Sequence, residues 1–155
     1  MLRTFTMDGY PPGDVDFGSR VDALAPDTRE SFDRAVHDFV RALFTDALSQ
    51  PFGSLVVVGH SDRQDAPGMT HREAQASEAA TSRARADSAW AWLHATISQQ
   101  AGSELAAGWE DGSAKVTSLV VSAGSGQLVH PDPVTEEQRL QNRRVEVHLS
   151  HFDLF

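Results

Sequence analysis

LVVVGHSDR, residues 55–63, is a β-branched apolar run closed by a glycine and then by polar residues. The unbroken LVVV reads as a central strand buried on both faces, because a strand wet on one side would alternate apolar with polar residues. His60, Ser61 and Asp62 then stand at the mouth of that strand. After a polar loop with Pro67 and Gly68, Thr70 and Glu73 have the spacing of a capping box, which opens a helix that could run to about Gln100. Its first half, residues 71–83, is mostly alanine, glutamate, arginine and serine. Such a segment has strong helix propensity and little to bury, so it is expected to project into solvent. In the second half Ala86, Ala89, Trp90, Leu93 and Ile97 supply an apolar stripe, and Arg85 lies on the same helix.

Upstream, Phe32, Val36, Phe39, Val40, Leu43, Phe44, Ala47 and Leu48 recur at three-and-four spacing, the pattern of an amphipathic helix. Pro26 and Asp27 precede it, with Asp27 and Glu30 spaced as its capping box, and Gln50-Pro51-Phe52-Gly53 stops it. VDF, residues 15–17, reads as a strand, and residues 1–14 read as an N-terminal extension that breaks at Asp8-Gly9 and Pro11-Pro12-Gly13. Residues 101–114 read as a glycine-containing loop with room for one helical turn at 104–107. VTSLVVS, residues 116–122, is the next strand, residues 136–141 form a short helix, and VEVHL, residues 145–149, is the last strand. The order β-α-β-α-β-(short α)-β implies crossovers, and hence a two-layer α/β sandwich, a mixed sheet with helices on one face. One domain at 15–150 follows, with a helix extension at about 70–83 and an apolar tail at 151–155.

At 155 residues and 40% hydrophobic content, the chain can bury a core of its own. Lysine plus arginine number 13 against 22 aspartate plus glutamate, and a net charge of -9 argues against a nucleic-acid partner, which needs a basic face. The absence of cysteine excludes disulfides, thiolate zinc sites and a cysteine nucleophile. No apolar run approaches the ~20 residues that cross a bilayer. The N-terminus also lacks the basic patch and apolar stretch of a secretory signal. A soluble chain is expected, cytoplasmic as written or carried to the cell envelope within a larger assembly.

Three separated pieces carry a family resemblance. VDFGSRVDAL, residues 15–24, is similar to an opening strand and small-residue turn. VVVGHSD, residues 56–62, is followed by Ser82-x-x-Arg85-Ala86-x-x-Ala89-x-x-x-Leu93. The third piece is Arg139-x-x-Asn142-Arg143-Arg144-Val145-Glu146-Val147. In this order, over roughly residues 15–150, they resemble the OmpA-like peptidoglycan-binding domain of outer-membrane anchors, peptidoglycan-associated lipoproteins and flagellar stator proteins. The resemblance implies a non-enzymatic module that holds the diaminopimelate head group of the peptidoglycan stem peptide. That head group is a free amino acid, so its receptor needs a carboxylate for the ammonium and a guanidinium for the carboxylate. By resemblance Asp62 takes the ammonium and Arg85 the carboxylate, with Ser61, His60 and Glu78 around them and Arg139 at the rim. Asn142, Arg143 and Arg144 are then structural, fixing the last turn and strand. A homodimer is a further possibility that the resemblance raises.

The chain also departs from the family pattern. The family usually has about fifteen residues from its aspartate to its arginine, whereas here 85 − 62 = 23, an insertion of about eight residues or on the order of 12 Å of helix. Ser61 stands for a threonine, Glu78 for an asparagine four residues before the serine, and Arg63, Asp65 and Glu78 bring charge to the entrance. The plain alternative for Asp62 is a turn cap or an ion pair with Arg85. His60, Asp62 and His71 suggest a structural histidine before they suggest a metal site, so no metal or cofactor is expected. His60, Ser61 and Asp62 are adjacent on a strand end and point in different directions, and Gly124-Ser125-Gly126 lacks the spacing of a nucleophile elbow, which argues against an enzyme. Trp90 reads as core, Trp92 as core or partner surface, and Trp109 as a lid. The second reading is a protein–protein adaptor or structural component of a larger assembly, an injection apparatus or phage-like particle, contacted through the helix extension or the tail at 150–155.

Overall fold

The computed structural model describes residues 2–44, 52–64, 66–102, 109 and 116–152. Among these residues the elements run in the order β1 (Leu2–Met7), α1 (Phe17–Asp22), α2 (Pro26–Phe44), β2 (Phe52–Gly59), α3 (His71–Ala101), β3 (Val116–Ser122), α4 (Glu136–Asn142) and β4 (Val145–Phe152). The sheet is mixed, ordered β1-β4-β2-β3, with β2 and β3 parallel across the α3 crossover and β4 antiparallel to both β1 and β2. Helices cover one face. Phe32, Val36, Phe39 and Leu43 of α2 and Ala86, Ala89, Leu93 and Ile97 of α3 meet Leu55, Val57, Val145, Val147 and Leu149 of the sheet in one core. The two-layer α/β sandwich expected from the element order is the fold observed.

Several local expectations are corrected. The first strand is Leu2–Met7, within the stretch set apart as an extension, and it pairs with β4 from Leu2 opposite Ser150 to Met7 opposite Val145. VDF is not a strand: Asp16 accepts hydrogen bonds from the backbone N–H groups of Gly18 and Ser19, and so caps α1 with Phe17 as its first residue. α2 begins at Pro26, whose fixed φ suits a first helical position, so Asp27 and Glu30 lie inside the helix rather than capping it. Strand β2 is not buried on both faces; Leu55 and Val57 face the helices, while Val56 and Val58 lie half-buried on the open face. Residues 150–152 continue β4, with Phe152 opposite Phe52. The helical turn at 104–107, Ala47, Leu48, Asp65 and the last three residues of the tail fall outside the described residues.

The helix extension is corrected as well. Ala74, Glu78 and Ser82 repeat every four residues and are buried, so this part of α3 has an inward face built largely from polar groups. Ser82 Oγ donates to Ala79 O at 3.0 Å and accepts from the Gly124 N–H at 3.0 Å, tying α3 to the turn after β3. The Thr70–Glu73 capping box forms as expected.

Candidate functional site

β2 ends at Gly59, and the chain then runs under α3. Asp62 is buried there, with side-chain exposure of 3%. Its Oδ2 accepts from Arg139 Nη1 at 2.9 Å and lies 3.6 Å from Arg143 Nη2, and its Oδ1 accepts from Asn142 Nδ2 at 2.9 Å. Asn142 is itself locked, donating to His130 O at 2.9 Å and accepting the His130 N–H at 2.8 Å. Each carboxylate oxygen carries two lone pairs, so these contacts fix Asp62 without exhausting it.

Arg85 is 1% exposed and lies on the inward side of α3. Its Nε donates to Asp14 O at 2.9 Å and its Nη1 to His60 O at 2.8 Å, while its guanidinium stacks 4.9 Å over the Tyr10 ring. The third nitrogen, Nη2, has no partner among the described residues. Burial pushes the guanidinium down to about 10; Tyr10 opposes this, Arg143 reinforces it, and Asp14 and Asp62 oppose it. The group is therefore charged at neutral pH. Burial also raises the Tyr10 phenol, which stays protonated.

Asp62 and Arg85 do not pair with each other among the described residues. Both instead line one cavity of about 230 Å³, together with Ser61, Arg63, Arg143 and the wall formed by Gln64, Ala66 and Thr81. A cavity of that size is smaller than the roughly 300–1,000 Å³ of a drug-sized site, and suits a small polar head group. One acid, Asp62, and three arginines, Arg63, Arg85 and Arg143, line it, with Arg143 next to Asp62.

The remaining candidates divide. Ser61 lines the cavity, its Oγ buried without a hydrogen-bond partner among the described residues. Arg139 donates to Asp62 without lining the cavity, whereas Arg143, read as structural, does line it while donating to Glu136 at 2.6 Å. Arg144 holds Glu146 at 2.9 Å and Gln127 O at 3.1 Å. Glu78 grips the loop after β2 rather than facing the cavity. His60 contributes only its backbone, its carbonyl accepting from Arg85 and its N–H donating to Arg144 O. Sequence reasoning missed Tyr10, for which a platform under a guanidinium leaves no spacing signal, and Gln64 and Thr81.

His60 has a pH consequence. Its ring is 1% exposed, and both ring nitrogens are buried without a hydrogen bond, the Glu146 carboxylate standing 3.4 Å away but out of hydrogen-bond geometry. Burial, with Arg144 beside it and Glu146 opposing, lowers its pKa to about 4. The unfolded chain therefore binds the proton first. Stability is complete above about pH 6.5 and falls as the pH drops toward 4, by about 2–3 kcal/mol from this group. In urea titrations the stability difference between wild type and His60→Gln should shrink or reverse over that window; a constant difference would exclude a buried neutral imidazole.

No family model and no curated protein matches the chain. Among solved structures it is similar to the cell wall anchor of the T6SS from Pseudomonas aeruginosa, at 18% identity over 96% of this chain and 80% of that one, TM-score 0.44. The periplasmic domain of Helicobacter pylori MotB aligns at 16% identity over 97% and 87%, TM-score 0.44. A MotB-like protein from Desulfovibrio vulgaris aligns at 18% identity over 96% and 73%, TM-score 0.45.

Proposed function

We propose that the chain is a non-enzymatic cell-wall-binding module whose cavity receives the free amino-acid end of the diaminopimelate side chain of peptidoglycan. The observation that carries the reading is that Asp62 and Arg85, 23 residues apart (85 − 62), converge on one cavity without neutralising each other. Asp62 accepts the ligand ammonium on its unused lone pairs, and Arg85 offers Nη2 to the carboxylate. Ser61 Oγ, buried and unpartnered among the described residues, supplies a further hydrogen bond. Among the described residues, no side chain lining the cavity is paired with a base that would activate a nucleophile, which supports the non-enzymatic reading.

Each charge-assisted bond is worth roughly 1.5–3 kcal/mol, so a single site gives weak, reversible attachment, and firm attachment comes from many sites or from tethering. The domain then works at the cell envelope. Sedimentation with purified diaminopimelate-type peptidoglycan tests this, using Asp62→Asn and Arg85→Lys, which keep the approximate size of each side chain, with chemical denaturation of both variants alongside. Each variant should bind about tenfold or more weakly, the loss expected for one charge-assisted contact. Equal retention of wild type and both variants would sink the assigned site.

A second reading, an adaptor or structural component within a larger assembly, is favoured by the open face of the sheet. Phe52, Leu119, Phe152 and Leu2 are exposed there at 46%, 54%, 58% and 67%. Residues 71–81 and 150–152 are parts of α3 and β4, so deleting them would disrupt the domain itself. Phe52→Ser with Phe152→Ser tests this face instead: a protein partner, or a second copy of the chain, should be lost from co-purification while peptidoglycan binding persists.

A further inference from the structure

We infer that Glu78 is a positioning residue that holds the outer wall of the cavity in place, rather than a ligand to the head group. The inference rests on reading the cavity as the binding site. Glu78 lies in the first half of α3 and is 6% exposed. Its Oε1 accepts the Gln64 N–H at 2.8 Å and its Oε2 accepts the Ser125 hydroxyl, so one carboxylate joins α3, the loop after β2 and the turn after β3. The preceding residue adds a second grip, Ser77 Oγ donating to Gln64 Oε1 at 3.1 Å. Gln64 is thus held by both its backbone and its side chain.

Held in this way, Gln64 and Ala66 face the cavity beside Thr81, which lies one helical turn beyond Glu78 on α3. Apart from these bonds, the described side chains of residues 63–66 make only the exposed ion pair of Arg63 with Asp132, at 3.7 Å. Exposed pairs of that kind contribute little. Without Glu78 the wall must be ordered by the ligand at the moment of binding, and affinity falls by the entropy of ordering it. The first half of α3 is then a buttress that preforms the pocket.

The test measures binding of a synthetic stem peptide with a free diaminopimelate head group by calorimetry, and amide hydrogen exchange at Gln64 in the unliganded protein. Glu78→Ala should bind about tenfold more weakly and release the Gln64 amide to faster exchange. Glu78→Gln retains a carbonyl for the Gln64 N–H and an amide N–H for Ser125 Oγ, so it should bind within about twofold of wild type. A glutamine variant as weak as the alanine variant would overturn the inference, because it would mark the charge of Glu78 as a direct contact. Equal affinity of wild type and Glu78→Ala would also overturn it. If wild type fails to bind the peptide, the proposed function falls, and the exchange measurement alone decides the wall: unchanged protection at Gln64 in Glu78→Ala overturns it. Should Glu78→Ala fail to fold, the Ser77→Ala/Ser125→Ala double variant takes its place, with about threefold weaker binding expected and no change counting against the inference.

Discussion

Gly59→Ala is expected to destabilise the protein by about 3 kcal/mol or more, the upper range for overpacking a core, which for a chain of this size lowers Tm by about 6–12 °C. A methyl group at Gly59 would stand 1.9 Å from Ser82 O and 3.0 Å from Ala86 N, both backbone atoms of α3. Neither can rotate away. Relief requires the whole helix to lift from the end of β2, and Ser82 and Ala86 are fully buried at that contact. Arg85 lies between them and is bonded to His60 O, the residue after Gly59, so lifting α3 also separates the two sides of the cavity. Gly53→Ala is the control. There the methyl would meet Leu43 Cδ1 at 2.8 Å and Phe39 Cζ at 3.2 Å, the ends of side chains that can turn, and a loss of about 1 kcal/mol is expected. Urea unfolding of both variants checks the contrast; equal stability of Gly59→Ala and wild type would be incompatible with the packing of α3 on β2.

That contact also explains how much of the fold was legible in the sequence. β2, β3 and β4 are β-branched runs bounded by breakers, and α3 opens with a capping box, so local chemistry states their type and place. β1 is different: TFTM alternates weakly, and what makes it a strand is a partner more than 140 residues away, Thr4 opposite His148. The LVVV run misled because apolar content was taken for two-sided burial, yet Val56 and Val58 sit half-buried on a face that none of the described helices covers. The first half of α3 misled in the opposite sense. Its buried row of Ala74, Glu78 and Ser82 is compatible with water by composition, and bonds to the Gln64 N–H, the Ser125 and Ser122 hydroxyls and the Gly124 N–H make it an inward face. Hydropathy does not register polar groups that are satisfied by a loop.

The candidate site was legible through motif resemblance rather than through pattern. Nothing in the spacing of Asp62 and Arg85 states that they share a cavity; the β2-to-α3 turn decides that. Arg143 shows why a structural role and a lining role were hard to separate, since one guanidinium holds Glu136, approaches Asp62 and still faces the cavity.

The same sharing sets the expected result for Asp62→Ala, a loss of about 3 kcal/mol of stability together with loss of ligand binding. Asp62 is the common acceptor for Arg139, Asn142 and, at 3.6 Å, Arg143. Removing it leaves the fully buried Asn142 Nδ2 with only His130 O, and leaves the Arg143 guanidinium, 11% exposed, with Glu136 as its remaining carboxylate. Breaking a buried pair from one side costs more than the pair contributes, because the surviving charge stays desolvated. Asp62→Asn retains an acceptor and the shape of the side chain, so its loss should be about half as large. Binding and stability must therefore be read together: chemical denaturation alongside peptidoglycan sedimentation should rank wild type above Asp62→Asn above Asp62→Ala in stability, with both variants poor in binding. An alanine variant as stable as wild type would mean that the three donors do not depend on Asp62, and that the acid serves the ligand alone.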